Sequence, residues 1–109
     1  MVKVIWSKGA LVYLKKHYNH LKKDSEISAR KVLQSILTTA EDLANHPDIY
    51  PLDKYRKHNK GDIRAFEKFH LRIAYQIKES EIRILRVRHT SRDPLEYKIG
   101  VGLIPSLLF

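Results

Sequence analysis

The chain has 109 residues, 21 Lys plus Arg against 12 Asp plus Glu, and a formal net charge of +9 at pH 7. That length suits one domain with a single hydrophobic core, and 43% hydrophobic residues exclude a disordered chain. The absence of cysteine excludes disulfides, iron–sulfur clusters and thiol catalysis, while the charge suits a polyanion or an acidic protein partner without requiring either.

Val2, Val4 and Trp6 alternate with Lys3 and Ile5 and stop at Ser7, which predicts a short first strand. Leu11, Leu14, Tyr18 and Leu21 then fall at helical spacing, with Lys15, Lys16, His17, His20, Lys22 and Lys23 between them. The pattern predicts a helix from about Lys8 to Lys22, capped by Ser7, with His17 and His20 on its solvated face. A second helix opens at Asp24 or Ser25 and carries Ala29, Val32, Ile36, Ala40 and Leu43 as its apolar stripe. It is expected to stop near Asn45 or His46, because Pro47 cannot continue the ladder. The short link makes the two helices an antiparallel hairpin.

Pro47 to Gly61 reads as a loop rich in cationic and titratable groups: Lys54, Arg56, Lys57, His58 and Lys60. After it the period becomes two, through Ile63 and Ala65, then Leu71, Ile73, Tyr75 and Ile77, then Ile82 to His89. The expected fold is α+β: an N-terminal strand, the helix hairpin, then a three-stranded antiparallel meander with the helices on one sheet face. Residues 1–98 form the expected domain and residues 99–109 an apolar C-terminal tail.

Strand parity suggests where the charge goes. Odd positions of the middle meander strand are apolar and face the helices, so Arg72 and Gln76 face outward. Ile63 and Ala65 match the inward set, which sends Arg64 outward as well. The last strand changes parity between Ile84 and Leu85, which calls for a bulge there or for a central strand buried on both sides. With Leu85 and Val87 inward, Arg86 and Arg88 emerge beside Arg72 and Arg64. Together with Lys54, Arg56 and Lys60 of the loop they make a guanidinium-rich binding face for a nucleic acid or another target. His89 and Arg92 lie where the chain leaves the sheet.

The runs Asp62-Ile63-Arg64-Ala65-Phe66-Glu67, His70-Leu71-Arg72-Ile73-Ala74-Tyr75 and Ile82-Arg83-Ile84-Leu85-Arg86-Val87-Arg88-His89, with Arg92-Asp93, resemble the RelE/ParE toxin superfamily. The first strand ending at Trp6-Ser7, the helical hairpin and the Asn45-His46-Pro47 stop agree with it. The resemblance runs to about Tyr97, and the histidine followed by Arg-Asp is ParE-like. It implies the toxin of a type II toxin–antitoxin (plasmid stabilisation) module. Such a toxin is neutralised by a cognate antitoxin and meets operator DNA only through the antitoxin complex.

Two activities occur on this fold: RelE-like members cut mRNA in the ribosome, and ParE-like members poison DNA gyrase. Metal-free RNA cleavage needs a base, an acid and cations around the phosphorane. The resemblance to the nucleases implies Arg72 as the strand arginine that contacts phosphate and Arg92 as the arginine after the last strand. It further implies His89 as acid or base, Tyr97 as a stacking ring, and Glu67 as a partner carboxylate. The lysine pair of several relatives is replaced here by Ile63, Arg64 and Ala65, leaving Lys60 or Lys68 as substitutes. His89 has a second reading as a strand-end residue that bonds backbone. The incomplete acid–base set favours a ParE-like gyrase inhibitor over an mRNA endoribonuclease, with a non-toxic basic nucleic-acid-binding module as a third reading.

No metal or cofactor is expected. The start of the chain is too quickly polar for a secretory signal, and Ile99 to Phe109 is shorter than the roughly 20 apolar residues a membrane span needs. A cytoplasmic protein without membrane contact is therefore expected, with the tail as a candidate homodimer surface.

Overall fold

The computed structural model describes residues 2–91. The expectations for Arg92, Tyr97 and the tail 99–109 lie outside those residues. The elements run β1 (Lys3–Trp6), α1 (Lys8–Lys22), α2 (Glu26–Asp42), β2 (Ile63–Lys68), β3 (Leu71–Ile77) and β4 (Glu81–His89). This is the expected α+β order.

Ser7 caps α1 by accepting the Ala10 N–H at 3.1 Å, and its hydroxyl donates to the Leu85 carbonyl at 3.0 Å. One side chain therefore starts the helix and ties it to β4. Docked there, α1 buries Ala10, Leu14 and His17, while Leu11 is exposed. The expected stripe is rotated: His17 is a core-facing residue and only His20 stays on the solvent side. Helical spacing defines a stripe, but the cap's anchorage decides which side of it meets the sheet.

Ser25 caps α2, accepting from Ser28 N at 3.2 Å, and the helix buries Ala29, Ile36 and Ala40 as its periodicity requires. It ends at Asp42, short of the expected Asn45 or His46. Leu43, Ala44 and Asn45 donate to the carbonyls three residues back, so the helix tightens into turns before Pro47.

The sheet has the order β1-β4-β3-β2, with β1 parallel to β4 and the other pairs antiparallel. β4 is thus an interior strand. Its partners are Ala74 with Arg86 and Tyr75 with Ile84, which leaves Leu85 as the extra residue of a bulge. The bulge lets Ile82, Ile84 and Val87 all reach the core despite their mixed parity. Phe69 and His70 form the turn between β2 and β3 with φ of 52° and 66°, a pair of positive angles that matches the twist of the hairpin.

Cross-strand pairing corrects the reading of β2. Arg64 and Phe66 lie opposite Tyr75 and Ile73, on the helix-facing side, whereas Ile63, Ala65 and Glu67 lie opposite Gln76, Ala74 and Arg72. Ile63 and Ala65 are nonetheless buried, beside the loop that returns along the β2 edge. Asp53 N–H donates to the Ile63 carbonyl, Ala65 N–H donates to the Pro51 carbonyl, and Leu52 bridges to Arg64. A strand can bury both faces when a loop covers the second, so parity alone misassigned its register. Among the described residues, no helix is long and apolar enough to cross a membrane.

Candidate functional site

Arg72 on β3 stands between Glu67 on β2 and Arg88 on β4 in the sheet register. Its guanidinium donates from Nη1 to Glu67 Oε2 at 2.9 Å and from Nη2 to Asp53 Oδ1 at 2.8 Å. The Tyr55 ring lies against it, 4.8 Å from ring centroid to guanidinium carbon. Burial opposes the charge on Arg72, but the hydrogen bonds and charges of Asp53 and Glu67 outweigh it and hold the pKa above the ordinary arginine value. Arg72 is therefore a fixed cation with two carboxylates on its donor fork.

Asp53 is buried and organises the basic loop. Its Oδ1 also accepts the Tyr55 N–H at 3.0 Å, and its carbonyl accepts Arg56 N–H at 3.2 Å. Asn59 closes the loop, donating from Nδ2 to the Ile63 carbonyl at 2.7 Å and accepting the Gly61 N–H at 2.9 Å. Gly61 sits at φ 97°, an angle most side chains disfavour. This folding brings Arg56 over the sheet. Arg56, Arg72, Arg86 and Arg88, with Asp53 and Tyr55, surround a cavity of about 220 Å³ with Ala74 in its wall.

Of the expected site residues, Arg56, Arg72, Arg86 and Arg88 therefore come together. Lys54 lies nearby with its ammonium 5.2 Å from the Tyr55 ring centroid, and Lys60 is exposed on the same loop but outside the cavity wall. Arg64 does not join them. It donates from Nη1 to the Tyr50 carbonyl at 2.6 Å, on the core side, and its buried Nε has no hydrogen-bond partner among the described residues. Lys68 is also on that side, donating to Thr39 Oγ1 at 3.1 Å.

His89 departs from the expected cluster as well. In register it lies opposite Leu71, with its ring 5.8 Å from His17 and 6.0 Å from His70 between ring centroids. Its N–H donates to Tyr13 Oη at 2.9 Å, and its Nδ1 accepts the Ser91 N–H at 3.1 Å. The ring thus bonds backbone at the strand end, on the opposite face of the sheet from the arginine cavity. The bulge is the cause, because the extra residue at Leu85 sets Val87 and His89 on the helix side and Arg86 and Arg88 on the other.

Sequence reasoning missed Asp53 and Tyr55. The one available signal was an acid directly before the basic run from Lys54 to Lys60, which a buried cation would explain. Glu67, which the resemblance implies as a partner carboxylate of the acid–base set, is ion-paired to Arg72. Among the described residues, no group of three or more His, Asp or Glu side chains is placed to hold a metal.

Residues 4–94 match the family model described as the ParE toxin of type II toxin–antitoxin systems, parDE. The chain belongs to the ParE toxin family. A solved chain from the chromosomal ParDE TA system of P. aeruginosa is similar, with a TM-score of 0.65 and 21% identity over 82% of this chain and 96% of that one. A chain of the YoeB dimer from Staphylococcus aureus aligns with a TM-score of 0.53 and 13% identity, over 81% and 95% of the two chains. At these identities both likenesses speak for the fold. Among curated proteins none matches. The family match takes in Arg92 and ends before Tyr97, and membership of the ParE family implies a cognate antitoxin as partner.

Proposed function

We propose that this ParE-family toxin arrests growth in the cytoplasm by binding DNA gyrase, without catalysing a reaction, and that its cognate antitoxin neutralises it. The separation of His89 from Arg72 carries this reading. General acid–base chemistry needs its proton carrier within about 3 Å of the reacting atom, or one water away. His89 instead lies on the helix side of the sheet beside His17, and the two carboxylates near Arg72 are both ion-paired to it. A binding surface requires cations and shape only, which the open face supplies.

The arginine cavity favours a second reading, an mRNA endoribonuclease acting on the ribosome. Four guanidiniums could stabilise a phosphorane, with the proton carriers supplied from elsewhere. Under either reading operator DNA is met through the antitoxin complex.

Expression of the full chain without antitoxin, followed by two readouts, decides between them. Gyrase-linked DNA breaks with intact transcripts are the expected result. Transcript cleavage that Arg72→Ala abolishes would overturn the gyrase reading, and so would normal growth.

A further inference from the structure

On the helix side of the sheet, away from the arginine cavity, a groove of about 400 Å³ lies between the two helices and the end of the meander. Its walls are His17 and Leu21 of α1, Val32 of α2, the Phe69–His70 turn, and His89 at the end of β4. Among the described residues no Asp or Glu lines it. Phe69 stands 45% exposed in this wall, at a turn position with φ of 52° where Asn and Gly are customary. A bulky side chain is disfavoured at such an angle, and burial of the ring does not offset the strain. The described chain also leaves the sheet at this groove. Thr90 donates from its N–H and its hydroxyl to the His70 carbonyl, at 2.8 and 3.2 Å, and the Ser91 N–H donates to His89 Nδ1 at 3.1 Å.

We propose that the apolar segment 99–109 of the same chain folds back and seats its side chains in this groove. The segment includes Val101, Leu103, Ile104, Leu107, Leu108 and Phe109 and carries no charged side chain, so it asks only apolar contact of its site. Leu21, Val32, Phe69 and the flat histidine rings supply that contact. The volume falls within the roughly 300–1,000 Å³ of clefts that enclose a small apolar ligand, which gives room for a few of these side chains. Residues 92–98 separate Ser91 from the segment, and an extended chain of that length reaches about 25 Å, ample to turn back onto a groove that starts at His89. The same tether favours its own groove over that of a second copy. It holds the segment at an effective concentration in the roughly millimolar range, far above that of a partner in dilute solution. The segment lies beyond the family match, which ends at residue 94, so the contact belongs to this chain and not to the shared toxin domain.

The chain has no cysteine, so a pair introduced into the full-length protein reports a single proximity. His20→Cys, at an exposed position lining the groove, is combined with Leu103→Cys and treated with a short-armed bismaleimide in dilute solution. The expected product is a single cross-linked chain, formed several-fold faster than with the control pair Lys54→Cys and Leu103→Cys, because Lys54 sits beside Tyr55 at the arginine cavity on the other face. Adding Phe69→Glu to the first pair is expected to slow the reaction several-fold by placing a charge where the exposed ring stood. Unchanged circular dichroism of that variant separates lost docking from lost folding. In the cysteine-free chain, Leu103→Asp with Leu107→Asp is expected to shift the ring-proton resonances of His70 and His89 and to leave those of His46, outside the groove, in place. Neither gyrase nor antitoxin is present, so the outcome is independent of the function proposed above. Three results would overturn the proposal: single-chain cross-linking no faster than the control, a two-chain product in its place, or histidine resonances that the double substitution leaves unmoved.

Discussion

Arg72 Nη2 and Asp53 Oδ1 lie 2.8 Å apart with both side chains nearly buried, and this pair joins the interior strand β3 to the basic loop. Backbone bonds along β2 and the Asn59 closure also hold the loop, and this pair adds an ion pair from the loop to the sheet beside Arg56. The pair is therefore architectural before it is functional.

Asp53→Ala leaves the Arg72 cation short of its buried partner, with the half-exposed Glu67 as the remaining one. A loss of about 2–4 kcal/mol is expected, at or below the range for breaking a buried ion pair. Urea unfolding measures it. A double-mutant cycle with Arg72→Met is expected to show coupling above about 1 kcal/mol, and additive losses would show that the pair contributes nothing specific.

Arg64 and Arg86 are expected to behave oppositely. Arg64→Ala removes the bond to the Tyr50 carbonyl and should destabilise by about 1–3 kcal/mol. Arg86→Ala is at an exposed position and should stay within about 0.5 kcal/mol of wild type. Thermal melting of the two variants side by side checks this.

Burial pushes the Tyr75 hydroxyl, which donates to the Pro47 carbonyl at 2.7 Å, up to about 12 from its ordinary 10.0. Between those values the folded state holds a proton that the unfolded chain has released, so stability falls as pH rises. The Tyr75 contribution is fully present below pH 10 and is lost through about pH 12. Tyr75→Phe should cost about 1–2 kcal/mol at pH 7 by orphaning the carbonyl, yet decline less between pH 9 and pH 11 than wild type. Parallel curves for the two proteins would contradict this assignment.

Because His89 faces His17 and not the arginine cavity, His89→Gln is expected to retain growth arrest when expressed without antitoxin. Colony counts after induction read the effect, with soluble yield as the folding control. Loss of arrest in a folded variant would return the histidine to the active machinery.

Helix spans, caps and the meander were legible because they rest on local patterns: Ser7 and Ser25 before periodic apolar runs, and alternation with tight turns. The Ile84-Leu85 parity break correctly signalled a bulge. Arg64 was misread because an Ile63-Ala65 alternation looks the same whether helices or a loop cover that face. His17 was misread because polar side chains among lysines resemble a solvated face, and only the docking of α1 shows it buried at 6% exposure.

The sequence by itself determined the order of elements, the cationic character of the molecule and its family, since these depend on neighbours along the chain. Tertiary structure alone decided which arginines share a space. That outcome depends on the register between β2 and β3, on one extra residue in β4, and on a buried aspartate that folds a loop across 19 positions to Arg72. A shift of one residue in a strand moves a side chain to the other face, so the same arginines could equally have been scattered.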